Sequence, residues 1–178
     1  LAQALGMQVL ASKRDAMHPA ESGLDYTPEG TGDPNGEIPA RIYPSEALGT
    51  MASECDFLVV LAPLVPATHH LVNERVLKAM KPDAVLINVA RGPVVDEKAL
   101  VAALQNGKLG GAALDVFEEE PLPASSPLWQ MPNVIITPHV SGNAADYNEK
   151  CAELFIENLR RYLEKRPLLN RIDRERGY

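Results

Sequence analysis

Reactive side chains gather directly after apolar runs in this chain. Arg91-Gly92 follows Asn88-Val89-Ala90, Asp115 lies inside the apolar run 111–116 and precedes Glu118-Glu119-Glu120-Pro121, and His139 follows Thr137-Pro138. A parallel sheet opens its site at the carboxyl ends of its strands, so an Arg, a carboxylate and a His can converge there. A guanidinium fork suits the capture of a planar anion, and an imidazole near a carboxylate suits proton exchange. Singly, each has a plainer reading: a turn with a solvated Arg, a surface run of glutamates, a hydrogen-bonded histidine. Their joint placement past successive apolar runs is what points to a site.

Other chemistries find less support. His69-His70 has no Cys or further His at zinc-like spacing, and His18, His69, His70 and His139 form no metal motif, so no metal is expected. Cys55 and Cys151 sit in no Cys-x-x-Cys and beside no His; Gly-x-Ser-x-Gly and a Gly-rich Walker loop are both absent. Two cysteines are too few for a disulfide scaffold and suit a reducing compartment.

The elements that must position these groups are short. Leu1-Ala2-Gln3-Ala4-Leu5-Gly6 reads as the end of a helix stopped by Gly, with a strand over 7–11 straight after it. Opening inside a helix at a residue other than Met, the sequence reads as part of a longer protein. Residues 13–44 hold five of the prolines and no sustained period of 2 or 3.6, which predicts a long surface excursion. Ser45 is expected to cap a short helix through Met51, and a strand over 56–61 then stops at Ala62-Pro63. A helix over 73–80 leads to a strand over 84–89. Asp96 is expected to cap a helix to Gln105 with Leu100, Val101 and Leu104 on one face, closed by Asn106-Gly107. Strands over 111–116 and 134–137 follow.

These strands lack apolar/polar alternation, which predicts cover on both faces. Short buried strands between amphipathic helices are the signature of a mostly parallel sheet with right-handed crossovers. The expected fold is therefore a doubly wound α/β domain. From 145 to 165 one long helix is expected, with Cys151, Leu154, Phe155, Leu159, Tyr162 and Leu163 as its apolar stripe and Arg166-Pro167 as its stop. Leu168, Leu169 and Ile172 in the tail are expected to lie on another domain or a partner.

The 178 residues carry a net charge of −7 and are 46% hydrophobic. That is one ordinary domain with a real core, and its acidity gives no electrostatic case for a nucleic-acid partner. No apolar run approaches the roughly 20 residues of a membrane span and no basic-then-apolar leader opens the chain, so a soluble cytoplasmic protein is expected.

Four ordered motifs then carry a resemblance. They are Ser53-Glu54-Cys55-Asp56-Phe57-Leu58-Val59-Val60-Leu61-Ala62-Pro63-Leu64, Asn88-Val89-Ala90-Arg91-Gly92, the string from Gly111 through Asp115-Val116-Phe117-Glu118-Glu119-Glu120-Pro121 to Pro123, and Thr137-Pro138-His139. Together the chain resembles the D-isomer-specific 2-hydroxyacid dehydrogenases, a family that includes glyoxylate/hydroxypyruvate reductases and phosphoglycerate dehydrogenase. The resemblance implies a Rossmann-like, usually dimeric, NAD(P)-dependent oxidoreductase that interconverts a small 2-oxo acid and its D-2-hydroxy acid. The family pattern is longer, with a substrate-domain segment, a strand and a glycine-rich loop ahead of what is seen here. Residues 1–144 are thus expected to be an NAD(P)-binding domain lacking its first strand and glycine-rich loop, and 145–178 a helix and tail reaching a substrate domain.

Residue by residue, the resemblance makes Arg91 the substrate-binding arginine, His139 the acid-base histidine and Glu120 its carboxylate partner. Glu120 is chosen among three glutamates because it immediately precedes Pro121. Asp115 matches the aspartate that meets the nicotinamide carboxamide. The cofactor is expected along Ser12, Lys13, Arg14, Ala62, Pro63, Thr68, Val89, Ala90, Arg91, Asp115, His139, Ser141 and Gly142. NADP is favoured over NAD, because a hydroxyl and two cations at Ser12-Lys13-Arg14 stand where an NAD-binding acid would lie. Asp15 keeps NAD open if the strand ends later. Alternatives of the same fold are a dehydrogenase of formate or another small anion, and a nucleotide-sensing corepressor-like protein.

Overall fold

The structure, a computed structural model, describes residues 1–18, 20, 24, 26–27 and 31–175. In chain order its strands are β1 (Leu10–Ser12), β2 (Arg41–Tyr43), β3 (Phe57–Val60), β4 (Val85–Asn88), β5 (Gly111–Leu114) and β6 (Val134–Ile136). Its helices are α1 (Leu48–Ala52), α2 (Glu74–Ala79), α3 (Glu97–Gln105) and α4 (Tyr147–Leu163), joined by several 3₁₀ turns. Two compact units result, one of residues 1–42 with 143–178, the other of residues 43–142. The first 42 residues thus group with the C-terminal segment rather than with residues 43–142.

The unit 43–142 holds a four-stranded parallel sheet in the order β3-β4-β5-β6. One row of its register runs Leu58, Leu86, Ala112, Val134. Parallel neighbours need a crossover, and α2 and α3 supply it. Both are capped from their own sequence: Asn73 Oδ1 accepts the N–H groups of Arg75 and Val76, and Asp96 Oδ1 accepts that of Ala99. Gly107 closes α3 in the left-handed region at φ 61°, which a glycine adopts without steric cost. The core joins Leu48, Met51, Val76, Leu77, Leu100 and Leu104 of the helices to Leu58, Val60, Leu86 and Leu114 of the strands.

Two expectations need correction here. Ser45 does not cap: Pro44 precedes a 3₁₀ turn over Ser45–Ala47 that feeds α1, and no side-chain cap bond forms. Nor is cover equal along the sheet. Phe57, Val59 and Ile135 of the edge strands β3 and β6 stay exposed, at 51%, 48% and 67%, while Leu58 and Val60, on the opposite face of β3, are buried. An apolar run is equally readable as two covered faces or one, because side chains alternate faces whatever their polarity.

In the unit formed by 1–42 and 143–178, the expected N-terminal helix end is a 3₁₀ turn, Gln3–Leu5, closed by Gly6 at φ 82°. β1 lies later than the strand expected over 7–11. Its partner β2 sits inside the stretch expected to be irregular; three residues are too few to show a period. Part of that stretch lies outside the described residues. The tail is also corrected. Leu169 is buried, held to α4 by its N–H donating to Asn158 Oδ1 at 2.8 Å and by Asn158 Nδ2 donating to its carbonyl at 3.1 Å. Ile172 remains exposed, as do Cys151, Phe155, Leu159, Tyr162 and Leu163 of the predicted α4 stripe, while Leu154 is half-buried.

Candidate active site

The turn after β4 is shaped by a buried polar residue. Asn88, only 1% exposed, accepts the Ala90 N–H through Oδ1 at 3.1 Å and donates through Nδ2 to the Arg91 carbonyl at 3.3 Å. The turn thereby presents Arg91 outward, its guanidinium donating to the Ala90 carbonyl at 2.6 Å. Gly92 then packs on backbone: a Cβ there would stand 1.8 Å from the Phe117 carbonyl oxygen. Only glycine lets the Arg91 turn touch the loop that carries Glu120.

Asp115 stands one residue past β5, not inside a strand as expected. It is 2% exposed, and its carboxylate accepts the Thr137 hydroxyl at 2.6 Å and the N–H groups of Val140 and Ser141 at 2.9 Å each. Its carbonyl accepts the His139 N–H at 2.9 Å. Burial opposes ionisation of this group, yet the donors of Ser141, Thr137 and Val140 outweigh it and hold the carboxyl well below the usual range. The charge is thus built into the loop after β6. That loop needs fixing, since His139 sits at φ 53°, a left-handed conformation costly for a non-glycine residue.

Glu120 reaches across to this histidine. His139 Nδ1–H donates to Glu120 Oε2 at 2.7 Å, while Glu120 Oε1 accepts the Phe117 N–H at 3.0 Å. The hydrogen bond from His139 holds the Glu120 carboxyl below its ordinary value, against burial and with help from the Phe117 N–H and the charges of His139 and Arg91. A carboxylate on Nδ1 fixes the tautomer and leaves Nε2 to face a substrate oxygen. Of the sequence-predicted trio, Glu120 and His139 touch, and Arg91 lies close enough for its charge to act on Glu120.

Among the other residues assigned to a cofactor, Thr68 braces its loop, its hydroxyl donating to the Pro63 carbonyl and accepting the Val65 N–H. Ala62 is half-buried and Pro63 exposed; Val89 is half-buried and Ala90 buried; Ser141 and Gly142 are exposed. Ser12 ends β1 in the other unit, with Lys13 Nζ donating to the His18 carbonyl at 3.2 Å and Arg14 exposed. Asp15 lies beyond the strand, its carboxylate accepting both the N–H and the ring Nδ1–H of His18.

Asn88, Gly92, Thr137 and Glu118 stand in the motif strings but were given no role there. A lone Asn closing an apolar strand was the one signal available for the first; the others act through contacts distant in the chain. His70, without a partner by spacing, gains two carboxylates: its ring and those of Asp96 and Glu118 offer atoms within 4.8 Å of one another.

The family model for the D-isomer specific 2-hydroxyacid dehydrogenase NAD binding domain matches residues 1–141. The chain is similar to (S)-sulfolactate dehydrogenase of Chromohalobacter salexigens, 41% identical over 162 residues that make 91% of this chain and 47% of that protein. It is similar to glyoxylate/hydroxypyruvate reductase B of Escherichia fergusonii, 46% identical over 112 residues, 63% of this chain and 35% of that protein. Among solved structures it is similar to a D-isomer specific 2-hydroxyacid dehydrogenase of Xanthobacter autotrophicus Py2 in complex with NADPH and MES. That likeness has a TM-score of 0.75 at 37% identity and covers 99% of this chain and 80% of that one. The chain spans less than half the length of the curated relatives it matches. The parallel sheet is the Rossmann-like, doubly wound type expected from the sequence.

Proposed function

The chain belongs to the D-isomer specific 2-hydroxyacid dehydrogenase family, and from that premise we propose that it is the nucleotide-binding part of an oxidoreductase. The reaction is interconversion of a small 2-oxo acid, of the glyoxylate or hydroxypyruvate kind, and its D-2-hydroxy acid. The observation that carries this reading is the 2.7 Å contact of His139 Nδ1 with Glu120 Oε2, within range of the Arg91 charge. Arg91 turns from the Ala90 carbonyl to hold the substrate carboxylate by two charge-assisted bonds. His139, held through Nδ1–H by Glu120, gives a proton from Nε2 to the carbonyl oxygen in reduction and takes it back in oxidation. A nicotinamide cofactor, when bound, would supply or accept the hydride.

The residues suit a dinucleotide. β1 ends at Ser12 rather than later, and Asp15 is engaged by His18, so a hydroxyl and two cations mark the strand end. That set attracts a 2′-phosphate, and NADP(H) is the cofactor we favour. In the full-length protein Arg14→Ala is expected to lower kcat/KM with NADPH about tenfold and to change it little with NADH. A wild-type preference for NADH would demote Ser12, Lys13 and Arg14 to surface residues.

Residues 1–144 serve this reading as the nucleotide-binding part and 145–178 as the segment that meets a substrate domain. Among the described residues no helix is long and apolar enough to cross a membrane; a cytoplasmic homodimer without nucleic-acid partners completes the proposal. The test is loss of NADPH or NADH absorbance when the full-length protein meets glyoxylate or hydroxypyruvate, with oxidation of sulfolactate run in parallel. Tight NADPH binding without turnover of any of these would favour the nucleotide-sensing alternative.

A further inference from the structure

We propose that Glu118, with His70 and Glu97, is a positioning device that sets the Glu120 carboxylate against His139; the proposal rests on the function given above. Glu118 lies two residues from Glu120, yet its side chain serves different partners. Its Oε1 accepts the Glu97 N–H at 3.2 Å and the His70 Nε2–H at 2.9 Å. Its own N–H donates to Glu97 Oε2 at 3.0 Å. Residues 97 and 118 therefore exchange bonds in both directions, backbone to side chain each way, and the first residue of α3 is fastened to the loop after β5.

His70 is itself anchored. Its N–H donates to the Pro93 carbonyl at 2.8 Å, Val72 and Val95 form a parallel bridge, and its φ of 51° is held in a conformation that persists only where the surroundings over-determine it. Residue 117 is gripped on its other flank, since its carbonyl lies against Gly92 and its N–H binds Glu120 Oε1. The chain of contacts runs from His70 and Glu97 through Glu118 to Phe117, then to Glu120 and His139. The nearness of Asp96 to this cluster does not make a cation site. Asp96 Oδ1 caps α3 at Ala99, and Glu118 Oε1 already takes two donors, so the cluster is satisfied by hydrogen bonds.

Displacing an acid-base partner by a fraction of an ångström is costly, so Glu118 should act on turnover rather than on cofactor binding. In the full-length enzyme Glu118→Ala is expected to lower kcat for the 2-oxo acid by about 10- to 100-fold, with KM for the nicotinamide cofactor changed less than about threefold. Glu118→Gln keeps an oxygen for both donors and should recover most of the loss. Joined to Glu120→Gln, the alanine change should add almost nothing, because both act at one point. Wild-type kcat in Glu118→Ala, or full additivity in the double variant, overturns the proposal. Should Glu118→Ala not fold, His70→Ala removes one bond alone and must show the same kcat loss in smaller measure. If the wild type turns over no substrate, the function above fails separately. Imidazole ¹⁵N spectra of His139 then decide: Glu118→Ala must move the Nδ1 signal and Glu118→Gln must restore it.

Discussion

Three side chains can be weighed against what each is asked to do. Among the described residues the Arg91 guanidinium is bonded to the carbonyl of its own neighbour, so it is at little cost to redirect. Replacing it by Lys keeps the charge and loses the fork. KM for the 2-oxo acid is expected to rise about 10- to 100-fold while cofactor affinity holds, as steady-state kinetics on the full-length protein would show. Glu120 is different, because its value lies in its charge. Reduction needs a proton from His139, and the carboxylate at 2.7 Å holds the ring by its Nδ1–H. Glu120→Gln removes the charge and leaves one acceptor where Oε1 and Oε2 took the N–H groups of Phe117 and His139, and is expected to lower kcat for reduction about 10- to 100-fold with KM for the cofactor little changed. An unchanged kcat would leave Glu120 with a purely structural part. Arg91 and His139 stood out as candidates because each follows an apolar run, whereas Glu120 was picked from three glutamates by its place before Pro121 in the family string. Glu118 was not, since nothing in three adjacent glutamates tells which way each points until residues 70 and 97 are brought beside them.

At the scale of elements, the loop after β6 is held by one carboxylate. Asp115 spends both oxygens on Thr137, Val140 and Ser141, and its carbonyl on His139. Asp115→Asn places an NH₂ group against backbone donors, and is expected to cost about 2–4 kcal/mol at neutral pH in chemical denaturation. The linkage has a definite sign. Folding lowers this carboxyl from its ordinary 3.8. Its contribution is therefore complete above that value and fades as pH falls towards the folded one. The wild type should lose stability between about pH 5 and pH 2 more steeply than Asp115→Asn, and parallel acid limbs would show that the loop is held by other means. The helices and strands of this unit were readable from caps and apolar runs, as Asp96 and Gly107 illustrate. The missed elements were short: β2 spans three residues, and the turn at Ser45 takes its start from Pro44.

Over the whole molecule, the least accounted surface is apolar. The periodicity of α4 was plain in the sequence, yet the partner of its stripe could not be, because burial is decided by what lies opposite and the chain spans less than half the length of its curated relatives. Phe155, Leu159, Tyr162 and Leu163 recur at helical spacing along one face and are 69%, 49%, 71% and 72% exposed. Burying one such side chain fully is worth about 1.5–3 kcal/mol, so a row of them left in water is a site where apolar molecules adsorb. The helix itself does not depend on that face. Asp146–Lys150 and Glu157–Arg161 pair along it, and Asn158 ties it to the tail at Leu169. The chain of residues 1–178 is therefore expected to enhance the fluorescence of an apolar dye in its native state. Changing Leu159 and Leu163 together to Lys should remove most of that enhancement and leave the melting temperature within a few degrees, since exposed positions seldom shift stability by more than about 0.5 kcal/mol. Dye fluorescence at background in the wild type would mean that the stripe is covered in solution. A large fall in melting temperature on substitution would mean that it packs within the chain.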